Sequence, residues 1–217
     1  MDMVYPVPTQ DIKRINSSST LAALTGPELR TIFLGMDQRR DELLNSSVKG
    51  KNPFKDIRVR QAFFHAINAE AISSRIMRKQ ATPSAVMVSP FLLDNADQFE
   101  RLAYDPEKAK KLLAEAGYPN GEGFGSVELR YNISDTHSAV ADEFAKQIFK
   151  VLGINVNIDG SSFEQLTADR ANGNGDIFRS GWSADYPSPE TFLINFYGKF
   201  VPESKNEPSP INEYRYK

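Results

Sequence analysis

The sequence holds 217 residues with 28 acidic and 26 basic side chains, a formal net charge of −2 and no cysteine. That balance gives no support for nucleic-acid binding, which needs a basic footprint, and the missing cysteines exclude a disulfide framework and any thiolate metal site. No apolar run reaches the roughly 20 residues that span a bilayer, the N-terminus lacks the basic-then-apolar pattern of a secretory signal, and the apolar and charged fractions of 40% and 25% fit one globular domain.

Asp2 to Tyr5 reads as a short strand closed by Pro6 and Pro8, with Thr9 or Asp11 capping a brief helix through Ile15. Asn16 to Thr20 is a polar loop. Thr31 to Asp37 is a strand apolar on both faces, so an interior place in a sheet is expected. The charged run from Asp37 to Lys51 has only Leu43 and Leu44 as anchors and reads as a solvated excursion. Asp56 then caps a helix in which Val59, Phe63, Ala66 and Ile67 form a core-facing stripe. His65 lies off that line and is expected at the surface or lightly satisfied. Asn68 opens a second helix carrying Ile72 and Ile76, and Arg75, Arg78 and Lys79 give it a basic end that suits the helix dipole.

From Ala81 to Tyr104 the periodicity is lost, and Met87, Val88, Phe91, Leu92 and Leu93 predict an ordered loop that packs. The next helix is well specified: Asp105 as N-cap, Pro106 in the first turn, Ala109, Leu112, Leu113 and Ala116 inward, Gly117 past the end and Tyr118 closing the cap. The glycine-rich run Asn120 to Gly125 follows a helix and precedes a strand, the reverse of a phosphate-binding loop. Alternating units follow. Val127, Leu129, Tyr131 and Ile133 mark a strand, and Val140, Phe144, Ile148, Val151 and Leu152 a helix ended by Gly153. Ile154, Val156 and Ile158 mark a strand, Ser161 with Glu164 a capping box opening a helix to Ala171, and Ile177 to Trp182 a strand. This βαβαβ order predicts an α/β fold with parallel strand ends on one rim and helices on both faces.

The last strand runs out into Ser183-Ala184-Asp185-Tyr186, stopped by Pro187 and Pro189, with Ser188-Pro189-Glu190 starting a new helix. Asp185 therefore sits on the rim where open α/β sheets bind ligands. His137, in the polar turn after the first of the three strands, faces the same rim. Arg179 lies in a strand expected to be buried, where an unpaired guanidinium is expensive, so it needs an acidic partner or access to the rim. Trp182, the only tryptophan, offers either a pocket wall with an indole donor or core packing. Asp185 is either a carboxylate anchor or a turn cap. A hydrolase would have only Asp185 and His137 to use, since there is no Gly-x-Ser-x-Gly and no HExxH. The tail from Val201 to Lys217 has three prolines and no apolar periodicity. It is expected to be poorly ordered or peripheral to a core of about residues 31–200.

The stretch Gly181-Trp182-Ser183-Ala184-Asp185-Tyr186-Pro187-Ser188-Pro189-Glu190 resembles the tryptophan–alanine–aspartate–tyrosine signature of the family 5 extracellular solute-binding proteins, the oligopeptide, dipeptide and nickel receptors of ABC importers. Three other stretches agree in the family's order: Asn52 to Ala62, Ala66 to Ile72 and Tyr104 to Pro119. The resemblance covers Thr31 to Tyr197. It implies that residues 1–217 form one periplasmic-binding-protein-like lobe of type II, with a mixed sheet, and that the first lobe and the signal peptide lie outside this sequence. It further implies a monomer, periplasmic or extracellular and membrane-anchored, without enzyme activity, cofactor or resident metal. Such a protein captures peptides or similar small solutes in an interlobe cleft and delivers them to an ABC permease. In peptide-binding members the aspartate matched by Asp185 pairs with the ligand's α-amine, and some place an arginine at the position of Arg179 that meets a ligand carboxylate. Trp182 and Tyr186 of the same signature are the remaining ligand-binding candidates. A nickel or metal-chelate receptor of the same fold is the alternative.

Overall fold

Strands whose side chains alternate between two packed layers set the architecture. The computed structural model describes residues 3–5, 7–204 and 207–216. Its helices are α1 (Ile12–Asn16), α2 (Ile57–Ala66), α3 (Ala69–Ala71), α4 (Pro106–Glu115), α5 (Asp135–Leu152), α6 (Phe163–Asn172) and α7 (Glu190–Leu193). Its strands β1 (Arg30–Met36), β2 (Val127–Asn132), β3 (Val156–Ser161) and β4 (Ile177–Ser183) form one sheet in the order β1-β4-β2-β3. β2 is parallel to β3 and β4, and β1 is antiparallel to β4. The sheet is therefore mixed, with the expected βαβαβ core.

On one face, Val127, Leu129 and Tyr131 of β2, Ile177 of β4, and Leu34 and Met36 of β1 join residues of α2, α4 and α5 in the main core. Phe54, Phe63 and Phe124 pack at its base, with ring centroids 5.3 to 6.1 Å apart. The helices of this layer are closed as their sequences require. Asp56, Asp105 and Ser134 each accept a backbone N–H at their helix N-terminus, contacts that contribute about 1 kcal/mol apiece. Gly153 ends α5 at φ +72°, a left-handed position that suits glycine. After α4, the N–H groups of Gly117 and Tyr118 donate to the carbonyls of Ala114 and Leu113, which satisfies the last turn.

Some expectations change. β1 lies at the edge of the sheet; its two apolar faces reflect a packed layer on each side, not a strand on each side. The run 37–51 is not solvated throughout: Leu43, Asp37 and Ser46 are buried, while Leu44 is exposed. Polar side chains anchor that run, which is why no apolar pattern announced it. Buried Asp176 accepts N–H bonds from Asn45 (3.1 Å) and Glu128 (3.0 Å), and Asn52 Nδ2 donates to the Asp37 and Arg40 carbonyls. His65 is buried, with Nδ1–H donating to the Ala103 carbonyl at 2.7 Å; it secures the end of the 81–104 loop. In that loop Val88 is buried, but Phe91 stands exposed. The α6 cap is Ser162, accepting from the Gln165 N–H, one residue later than expected because β3 extends through Ser161. Met3 to Tyr5 form no strand; Asp2 and Pro6 of that expected element lie outside the described residues.

The tail is the largest correction. Val201, Ser209, Asn212, Tyr214 and Arg215 are buried, forming with α6 and α7 the layer on the second face of the sheet. Tyr214 meets Phe33 edge-on at 5.3 Å and stacks on Phe196 at 5.8 Å. It covers Gly35 so closely that any Cβ there would overlap the ring. Arg215 pairs with buried Asp37 at 3.5 Å and donates to the Ala171 carbonyl at 3.1 Å. Long-range polar satisfaction, rather than periodicity, holds this segment; Lys217 lies outside the described residues, and Tyr216 is half-exposed. Tyr214→Ala is expected to lower unfolding free energy by about 3–5 kcal/mol, read as a shifted urea midpoint. A loss under about 1 kcal/mol would mean that the tail is peripheral after all.

Candidate functional site

The site arises from unequal strand pairing. β4 pairs with β1 along its whole length, from Met36↔Ile177 to Arg30↔Ser183, but with β2 only at Leu129↔Ile177 and Arg130↔Phe178. Beyond Phe178 the two parallel strands part, while Tyr131 and Asn132 remain paired to β3. α5 carries the chain from β2 to β3 on one side, and α6 carries it back past β2 to β4 on the other, so the gap lies where the strand order reverses. Ligands of open α/β sheets bind at such a point.

A cavity of about 420 Å³ fills the gap. Arg30 and Ile32 of β1, Asn132 at the end of β2, and His137 in the first turn of α5 line it. So do Arg179 and Gly181 to Ser183 of β4, Asp185, Phe163 and Arg170 of α6, and Glu213 with Tyr214. Of the residues expected at the site, Arg179, Trp182 and Asp185 are thus brought together, and His137 joins them. Tyr186 is not among the lining residues; it is exposed, its hydroxyl 3.5 Å from Glu190 Oε2.

Arg179 reaches the cavity rather than an acid. Its Nη1 donates to Asn132 Oδ1 at 3.4 Å, and among the described residues no carboxylate lies within ion-pair distance. Arg170 differs, since Glu213 Oε2 lies 3.0 Å from its Nε. Asp185 is organised by Thr191, which is buried: the Thr191 hydroxyl donates to Asp185 Oδ2 at 3.3 Å and accepts the Trp182 indole N–H at 3.1 Å. Trp182 is thereby fixed as a wall, and Asp185 Oδ1 has no partner among the described residues. His137 Nδ1 lies 3.0 Å from the Asn132 carbonyl. A carbonyl only accepts, so the proton sits on Nδ1 and the lone pair on Nε2.

Thr191, Arg30, Asn132 and the Arg170–Glu213 pair were not legible as site residues. Thr191 alone left a trace, a polar residue at the start of the helix that follows the signature. Arg30 stands just before an expected strand, and Glu213 lies in the tail.

The family model for bacterial extracellular solute-binding proteins, family 5 (middle), matches residues 1–203. The chain belongs to this family. It is 34% identical over 149 residues to the periplasmic oligopeptide-binding protein OppA of Salmonella typhimurium, covering 66% of this chain and 27% of that protein. It is 25% identical over 199 residues to the dipeptide-binding protein of Escherichia coli, covering 90% of this chain and 34% of that protein. The chain thus spans about a third or less of these relatives' length. A solved periplasmic oligopeptide-binding protein, OppAIV of Borrelia burgdorferi, superposes with a TM-score of 0.68 at 29% identity, over 89% of this chain and 36% of that one. The fold is also that of Helicobacter pylori DppA, solved with the peptide STSA: TM-score 0.79 at 21% identity, over 97% and 37% of the two chains. Among the described residues no helix is long and apolar enough to cross a membrane, and no group of His, Asp and Glu could hold a metal ion.

Within this family 5 chain the cavity is electrostatically unbalanced. Burial, then the cations Arg30 and Arg170, push the Arg179 guanidinium down to about 10. Burial and then Arg179 lower His137 below its ordinary 6.5. Because the folded value is depressed, the neutral imidazole's contribution to stability is present above the unfolded value and is lost as pH falls below about 6.5. The chain has two histidines, so its imidazole NMR spectrum is simple. His137 should titrate below 6.5, and Arg179→Gln should move it upward. A His137 midpoint unchanged by Arg179→Gln would break the assigned coupling.

Proposed function

We propose that this chain is one lobe of a two-lobed, non-catalytic receptor, the solute-binding component of an ABC importer. The receptor works outside the cytoplasmic membrane, captures peptides or similar small solutes between its lobes, and passes them to a membrane permease. The observation that carries this reading is that an uncompensated cation, Arg179, and a carboxylate with an open oxygen, Asp185, line the same cavity. A peptide is the complementary solute. Whatever its side chains, it carries an α-ammonium at one end and a carboxylate at the other, and a receptor for many sequences must grip those shared ends. Arg179 and Asp185 are six residues apart on a chain that rises about 3.3 Å per residue when extended, so they span at most about 20 Å, the reach of a short extended peptide. The printed names of the relatives, for oligopeptides and dipeptides, point the same way.

In an open cavity the ammonium–carboxylate pair stays wet and contributes about 0–1 kcal/mol. Closure of a second lobe over it removes that screening, and truncating one member of a desolvated pair then costs about 2–5 kcal/mol. In the intact protein, Asp185→Asn should therefore weaken binding of a free peptide by tens to thousands of fold, about 1.4 kcal/mol for each factor of ten. Acetylating the peptide N-terminus should weaken wild type similarly and leave the variant nearly indifferent. Equal binding of both peptides by both proteins would reduce Asp185 to a cap on its turn.

A further inference from the structure

We infer that capture of a ligand carboxylate at Arg179 draws one proton from solvent onto His137, so that binding is proton-linked. The inference rests on reading Arg179 as the carboxylate contact. Asn132 supplies the geometric link: its backbone carbonyl accepts the His137 Nδ1–H, and its side-chain Oδ1 accepts from Arg179. The imidazole and the guanidinium are thus held by one residue in one cavity, with His137 Nε2 carrying the lone pair.

The other charged groups around the imidazole come from every wall. β1 brings Arg30, paired with Glu28 at 3.0 Å. α6 brings Arg170, paired with Glu213 of the last segment. The turn after β4 brings Asp185, held by Thr191. Arg179 is the lining cation with no carboxylate of its own among the described residues, and burial plus that cation favour the neutral form of His137 when the site is empty. An arriving carboxylate cancels the field of Arg179 and offers an acceptor to Nε2. The protonated ring then donates a charge-assisted bond, which favours the imidazolium. No covalent bond is made or broken; the proton comes from buffer and returns on release. A peptide ammonium stays charged below about pH 7, so it adds no proton of its own there.

The test is calorimetric titration of the intact protein near pH 6.5, in buffers of different ionisation enthalpy, with tri- and tetraalanine as free acids and as C-terminal amides. The expected result is proton uptake approaching one per free-acid peptide, with affinity rising by up to about tenfold per pH unit as pH falls. His137→Gln should abolish the uptake. In case the first variant misfolds, the His137 resonance of wild type should shift toward the imidazolium when the free acid binds. Weaker binding of the amides without any proton uptake would overturn this inference and leave the carboxylate contact standing. Uptake that survives His137→Gln would also overturn it. Amides that bind as well as acids, or alanine peptides that do not bind at all, would overturn the Arg179 reading and this inference with it.

Discussion

The structure turns on the divergence of β2 and β4. Two parallel strands that stay paired through their full length would leave no crevice at their carboxyl ends. Here pairing stops at Phe178, and β4 continues alone on that side, braced only by β1. The brace must be firm, because β1 is an edge strand. It is held from below by Leu34 and Met36 in the main core and from above by Tyr214 on Gly35 and Phe33. The tail that supplies Tyr214 is fastened through Arg215 to Asp37, immediately after β1. Two packed layers thus fix the free end of β4, and with it Arg179, Trp182 and the turn bearing Asp185.

Electrostatics then sets the character of the crevice. The depression of Arg179 from the ordinary guanidinium value to about 10 corresponds to about 3 kcal/mol of unfavourable differential interaction with its charged form. Both values lie far above neutrality, so this penalty is constant across physiological pH. Desolvation is its largest cause, and an anionic ligand group is the natural compensation. Asp185 is the contrasting case: a carboxylate in the cavity lining whose Oδ2 accepts from the Thr191 hydroxyl.

Much of this was legible because local rules and tertiary structure agree. Asp105, Pro106 and Gly117 bound α4, Gly153 ends α5, and the βαβαβ periodicity delivers the parallel strands. The requirement that Arg179 find an acid or the rim came from the cost of burying an unpaired charge, and the structure puts it at the rim. What stayed hidden depends on contacts between residues distant in sequence. Arg215 with Asp37, Asp176 with Asn45 and Glu128, and His65 with Ala103 are polar satisfactions that leave no periodic trace. The edge position of β1 was missed for a related reason: residues apolar on both faces report layers above and below, not neighbours on either side.

The central claim, that Arg179 is held at a cost which a ligand carboxylate offsets, is tested most directly by melting Arg179→Met with and without peptide in the intact protein. Without peptide the variant should melt above wild type, by less than the roughly 2–4 °C per kcal/mol of a domain of about 150–250 residues, because the intact protein is larger. With saturating free-acid peptide, wild type should gain far more than the variant. A variant that melts lower than wild type without peptide, and gains as much from it, would contradict the account.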